Sequence, residues 1–267
     1  MRIPIYQLDA FADRLFAGNP AAVCPLEGWL DDAVLQAIAA ENNLAETAFF
    51  APEGEGYRLR WFTPTSEVDL CGHATLASAA VVFERLRPDA ASVAFSTRSG
   101  VLTVTREGDL LALDFPAIPA EAVEQVPPAL LDGLGTAPPG LFLASNYMAV
   151  FAAAAEIAAL APDMAALAQL HPAGVIVTAP GEEAGGGAPA PDFVSRFFAP
   201  SHGIPEDAVT GSAHCTLVPY WSARLGRTNL VAHQISARGG VLFCEDRGDR
   251  VRIAGRAVPY LEGTITV

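Results

Sequence analysis

Residues 67–86 read EVDLCGHATLASAAVVFERL, and between His73 and Glu84 the only polar side chains are Thr75 and Ser78. A helix over this stretch is apolar on every side and must be covered on every side. Strand candidates flank it at 47–51, 57–62, 101–105 and 110–115, whereas the only other helical pattern in this half lies at 31–42, with Leu35, Ile38 and Ala39 on one face. A sheet curled around the helix satisfies that demand. The N-terminus of the helix then opens at the mouth of a barrel, and Cys71, Gly72 and His73 stand there.

The same plan recurs further along. GNPAAV at 18–23 returns as SNYMAV at 145–150, and LRWFTPT at 59–65 returns as SRFFAPS at 195–201. CGHATLA at 71–77 is matched by TGSAHCTL at 210–217, and STRSGVLTV at 96–104 by SARGGVLFC at 236–244. The offsets of 127, 136, 139 and 140 stay in order and drift through small insertions, which argues for a duplicated module. Further strands are expected at 175–178, 193–198 and 241–244, and a second core helix from Ser212, which Pro219 should kink or end. The expected fold class is therefore α+β: two pseudo-symmetric domains, each a curled sheet or barrel around a central helix. Their boundaries are 1–117 and 118–267, with a strand near 257–267 as a candidate to return to the first domain. The joint lies in the proline-rich segment 117–140, and the glycines and prolines of 181–191 mark a flexible loop.

Composition excludes several function classes. A net charge of −14 with no Lys/Arg cluster argues against nucleic-acid and anionic-membrane partners. The N-terminal segment carries charge too early for a signal-peptide core, and the Ala-rich segment from Met148 to Leu170 is broken by Glu156, Pro162 and Asp163, so a water-soluble helix fits it better than a membrane span. Cys24, Cys71, Cys215 and Cys244 have no CxxC spacing and read as reduced thiols of a cytoplasmic protein. His171, His202 and His233 show no ligand spacing with one another or with a cysteine, so no metal is expected.

Helix N-termini present unpaired N–H groups and a positive dipole end, so two such ends facing one cleft suit a small carboxylate. Gly72 and Gly211 let a ligand approach the backbone closely. Positions whose chemistry differs between the repeats are candidates for directional catalysis. Cys71 pairs with Thr210 and His73 with Ser212; Glu46 pairs with Gly174, and Asp207 has no acidic partner. A one-sided carboxylate at the start of a strand is what proton transfer needs. The plain alternatives are a solvated Glu46, a backbone-bonded His73, and helix-capping roles for Asp207 and Ser212. His214 reads as structural.

NPAAV, NNLAETAFF, FTPTSEVDLCGHATLASA, GIPEDAVTGSAHC and GRAVPYLEG together resemble the PhzF-like, phenazine-biosynthesis-type isomerases, from Ile5 to near the C-terminus. That family shares its fold with diaminopimelate epimerase. The resemblance implies an active site between two barrel domains, no metal or organic cofactor, and a homodimer. It implies Glu46 as the catalytic acid/base, with His73, Asp207 and Ser212 as its site partners. The related epimerases use a cysteine at each helix start; Thr210 stands at the second position here, which puts a two-thiol reaction in doubt. Three functions stay open: an isomerase moving a proton on a small carboxylate, a Cys71-dependent epimerase or dehydratase, and a non-catalytic carboxylate binder. Cys71, Gly72, Thr210, Gly211 and Ser212 line the expected binding site.

Overall fold

The structure, a computed structural model, describes residues 1–182 and 189–267, so the loop expected at 181–191 lies largely outside the described residues. The chain forms two compact units, Met1–Asp114 with Ala254–Val267, and Phe115–Ile253. The chain opens with β1 (Arg2–Ala10), β2 (Asn19–Pro25), α1 (Asp32–Asn42), β3 (Glu46–Glu53), β4 (Gly56–Phe62) and β5 (Glu67–Val68). Next come α2 (Gly72–Val81), β6 (Ser92–Thr97), β7 (Gly100–Glu107) and β8 (Leu110–Pro116). The second unit contains β9 (Glu121–Ala122), α3 (Pro128–Leu134), β10 (Gly140–Leu143), β11 (Tyr147–Val150), α4 (Ala154–Ala159) and α5 (Met164–Leu167). It continues through β12 (Val175–Pro180), β13 (Phe193–Ala199), β14 (Ile204–Asp207), α6 (Gly211–Leu225), β15 (Asn229–Gln234), β16 (Gly240–Asp246) and β17 (Arg250–Gly255). The last strand, β18 (Ala257–Thr266), belongs to the first unit, where it pairs antiparallel with all of β1.

The duplication is visible in the strand pairing. In the first unit β2 runs parallel to β3, β3 antiparallel to β4, β4 parallel to β6 and β6 antiparallel to β7. In the second, β11, β12, β13, β15 and β16 repeat that order and those directions. Each parallel pair needs a crossover: α1 and then α2 supply them in the first unit, α4 with α5 and then α6 in the second.

The apolar stretch does form the expected buried helix. Every residue of α2 from His73 to Val81 is buried, and β1, β2, β3 and β18 pack against it. It ends in a π-helical turn, Val82–Leu86, whose Phe83 carbonyl accepts from Arg106 at 2.9 Å. The other face of this sheet is covered by α1, with Leu35, Ile38 and Ala39 packed among Ala22, Cys24, Phe49 and Phe62. In the second unit α6 packs on β15 and β16. Leu130 and Leu134 of α3, Ile157 of α4 and Leu167 of α5 form a separate core with Val175, Val177 and Phe198.

Two expectations need correction. Pro219 does not end α6, which runs on to Leu225. Proline removes the N–H that would bond the carbonyl four residues earlier. That carbonyl, of Cys215, instead accepts the Ile118 amide at 2.9 Å, so nothing is left unpaired. The segment 148–170 is not one helix but the end of β11, α4, α5 and a 3₁₀ turn. Pro162 and Asp163 explain the break: the Asp163 carboxylate caps α5, accepting the Ala165 and Ala166 amides at 2.9 and 3.2 Å. Among the described residues no helix is long and apolar enough to cross a membrane.

Candidate active site

In the first unit the fold brings Glu46, Cys71 and His73 together, their ligand-type atoms all within 4.8 Å of one another. Glu46 opens β3, and Cys71 and His73 bracket the first residue of α2. The segment entering α2 is held by Arg60 of β4, which grips Glu67 of β5 through two hydrogen bonds of 2.7 and 2.8 Å. Arg60 also reaches Asp32 at the start of α1, at 2.8 Å. The second unit repeats this device: Arg196 of β13 grips Glu206 of β14 at 2.8 and 2.9 Å, just before α6. Such bidentate pairs fix geometry as well as adding energy.

Glu46 Oε2 lies 3.1 Å from His73 Nε2, with the two side chains only 12% and 7% exposed. Neither atom has an aligned hydrogen bond. His73 Nδ1 faces the Asn19 amide at 3.3 Å and Cys71 Sγ at 3.5 Å. Asn19, at the start of β2, is itself buried. The preceding Gly18 has φ +65°, and a Cβ there would sit 2.2 Å from the Ala10 carbonyl oxygen, so only glycine delivers Asn19 to this place.

Charge decides the state of the trio. Burial disfavours ionised Glu46, but the charge of His73 beside it outweighs this and holds the carboxyl below its ordinary range. Burial likewise opposes protonation of His73, and the negative charges of Cys71 and Glu46 override it, holding its pKa well above the usual imidazole value. Burial and then the Glu46 charge push the Cys71 thiol up to about 11. Cys71 is therefore a thiol at neutral pH and contributes no charge there, which leaves the Glu46 carboxylate as the charge that favours a protonated His73. Burial alone would bring Glu46 toward neutrality; His73 compensates that burial.

The second unit builds a different arrangement at the start of α6. Thr210 donates its hydroxyl to Asp207 Oδ2 at 2.6 Å and its N–H to Gln234 Oε1 at 2.8 Å. Gln234 Nε2 donates to the Asp207 carbonyl at 2.9 Å, closing the turn 207–210. Asp207 thus contacts the residue before the helix. Ser212 is exposed on the first turn, while Gly211 is buried and Gly72 half-buried. Neither helix start has a side-chain hydrogen-bond cap. His214 is structural: Nδ1–H donates to the Thr210 carbonyl at 2.8 Å, and burial lowers its pKa to about 4.

The repeat also explains why Glu46 is one-sided. Thr47 pairs with Phe62 and Val175 with Phe198, so Gly174 occupies the place of Glu46. A Cβ at Gly174 would lie 2.7 Å from the Phe197 ring, which leaves no room for a side chain. Sequence reasoning missed Asn19 and Gln234. Asn19 lay inside the first repeated motif and was visible there. Gln234 ends β15 where Thr97 ends β6, a difference that shows only once strand registers are known.

The model of the phenazine biosynthesis-like family, PhzC–PhzF, matches residues 8–263. An uncharacterized isomerase of Pseudomonas aeruginosa is 53% identical over 265 residues, 99% of this chain and 99% of its own. The crystal structure of a PhzF-family phenazine biosynthesis protein from Enterococcus faecalis superposes with a TM-score of 0.94 at 46% identity, covering 100% of both chains. A hydroxyproline epimerase from Agrobacterium vitis, with a TM-score of 0.57 at 10% identity over 99% of this chain and 91% of its own, shares the fold alone. A family model spanning nearly the whole sequence, a relative above half identity and a full-length structural match agree: the chain belongs to the PhzC–PhzF family of phenazine biosynthesis-like proteins.

Proposed function

We propose that this protein is an isomerase that moves one proton on a small carboxylate substrate, with Glu46 as the single acid/base. The observation that carries this reading is buried Glu46 3.1 Å from buried His73, a spacing that favours their ion pair, with glycine at the equivalent place in the other repeat. The carboxylate takes a proton from one substrate carbon, becomes a carboxylic acid, and returns that proton to another carbon. His73 balances the anionic charge that then resides on the substrate. On the carboxylic acid the proton exchanges with solvent before it is returned, and the transfer changes no net oxidation state, so the chemistry calls for no redox cofactor. The uncapped amides at the start of α2 suit the substrate carboxylate. A homodimer belongs to the same reading, and sedimentation tests it.

A Cys71-based epimerase or dehydratase has one observation in its favour, the 3.5 Å approach of Sγ to His73. A thiol pushed up to about 11 is a poor base at neutral pH, which favours Glu46. The test begins with a thermal-shift screen of small carboxylates, followed by turnover of the hits in deuterated water. Wild-type product should carry solvent deuterium. Glu46→Gln should lose at least about 100-fold in rate while staying folded, and Cys71→Ser far less. Full activity in Glu46→Gln, or complete loss in Cys71→Ser, would overturn the one-carboxylate mechanism.

A further inference from the structure

We propose that Glu46, Cys71 and His73 form a binding site for Zn²⁺, and that its occupancy switches the proton shuttle off. Imidazole, carboxylate and thiolate are the donor types that zinc selects. Their donor atoms lie within 4.8 Å of one another, and they project from the starts of β3 and α2, two ordered elements. With zinc–nitrogen and zinc–oxygen bonds of about 2.0–2.2 Å, a tetrahedral site separates N and O by roughly 3.3 Å. Glu46 Oε2 and His73 Nε2 already stand 3.1 Å apart. Both atoms are buried without a hydrogen-bond partner, and His73 is only 5% exposed. Once the ring gives up its Nε2 proton, a carboxylate oxygen and an imidazole nitrogen at this spacing, with the Cys71 sulfur beside them, are donors that a cation would join.

The charge balance favours the exchange. Without metal the buried trio holds a carboxylate, an imidazolium and a thiol, for a net charge of zero. On binding, Cys71 gives up its thiol proton and His73 its Nε2 proton. Carboxylate, thiolate, neutral imidazole and Zn²⁺ again sum to zero, and two protons leave for solvent. No uncompensated charge is buried in either state. The Asn19 amide nitrogen stands 3.3 Å from His73 Nδ1; turning that amide over would bring its oxygen to the remaining ring N–H, the outer support that zinc-bound histidines ordinarily have. A bound ion occupies the carboxylate lone pair that takes the substrate proton, so metal and substrate exclude each other.

The test needs no substrate and does not depend on which reaction the site performs. Cobalt(II) is titrated into the chelator-treated, full-length protein and followed by absorption. The expected result is one equivalent bound, a near-ultraviolet thiolate-to-cobalt band, intense visible bands of four-coordinate cobalt, and loss of all of them on adding one equivalent of Zn²⁺. Cys71→Ser should abolish the thiolate band, and Glu46→Gln should weaken binding by at least about 10-fold. Circular dichroism verifies that both variants fold. Proton release, read in weakly buffered wild-type protein, should approach two per Zn²⁺ and needs no variant. Absence of the band in wild type, its persistence in Cys71→Ser, or zinc uptake without proton release would each overturn the proposal.

Discussion

At the scale of single residues, the site turns on a carboxylate kept ionised where burial alone would protonate it. That dependence makes His73→Gln informative. Without the imidazolium, burial acts on Glu46 unopposed and its pKa rises, so the acidic limb of the kcat/KM profile should move to higher pH. An unmoved limb would show that another cation serves Glu46. The pair also governs stability. Glu46 is depressed below its ordinary 4.5, so its contribution is present above that pH and is lost as pH falls through the folded value. His73 is raised well above its ordinary 6.5, so its contribution is complete below 6.5 and is lost as pH rises through the folded value. The pair therefore stabilises most between about pH 4.5 and 6.5, and thermal melting of wild type against His73→Gln should differ most there. Gly174 supplies the opposite case. A methyl group at that position meets the Phe197 ring at 2.7 Å, so Gly174→Ala should cost about 1–3 kcal/mol in urea unfolding.

At the scale of elements, α2 was readable because nothing but a surrounding sheet can bury a helix that is apolar all round. α6 was readable in its start but not in its length. The donor that satisfies the Cys215 carbonyl in place of residue 219 is the Ile118 amide, 101 residues from Pro219 by subtraction of the two numbers, and helical periodicity carries no trace of it. A consequence can be measured. Replacing proline inside a helix by alanine ordinarily stabilises by about 3 kcal/mol. Here the Cys215 carbonyl is already bonded, and a new amide at 219 would compete with Ile118 for it. Pro219→Ala should therefore gain well under about 1 kcal/mol in denaturant unfolding. The alanine-rich segment 148–170 misled for the converse reason. Its apolar side chains suit a helix, but Met148, Ala149 and Val150 are committed to β11 beside β12. The paired arginines were present in two of the repeated motifs, yet their grip on Glu67 and Glu206 depends on how β5 and β14 lie beside β4 and β13.

At the scale of the whole molecule, the internal repeat was the most legible feature, because four ordered matches in sequence became the same strand directions in both units. Glu46, Cys71 and His73 were legible as candidates because the repeat isolates them. Their ionisation states were not, because each is set by neighbours brought in from distant parts of the chain. The second unit is one continuous run, whereas the first is completed only by β18, which pairs along the full length of β1. A chain stopped at Arg256 should therefore keep residues 115–253 resistant to limited proteolysis while residues 1–114 become labile; equal protection of both would contradict this. The same geometry bears on biogenesis. Translation delivers Glu46, Cys71 and His73 early, but the sheet that encloses them lacks its closing strand until residues 257–266 leave the ribosome. The second-made unit can thus mature first, and the first unit closes around its reactive residues only after residues 257–266 have emerged.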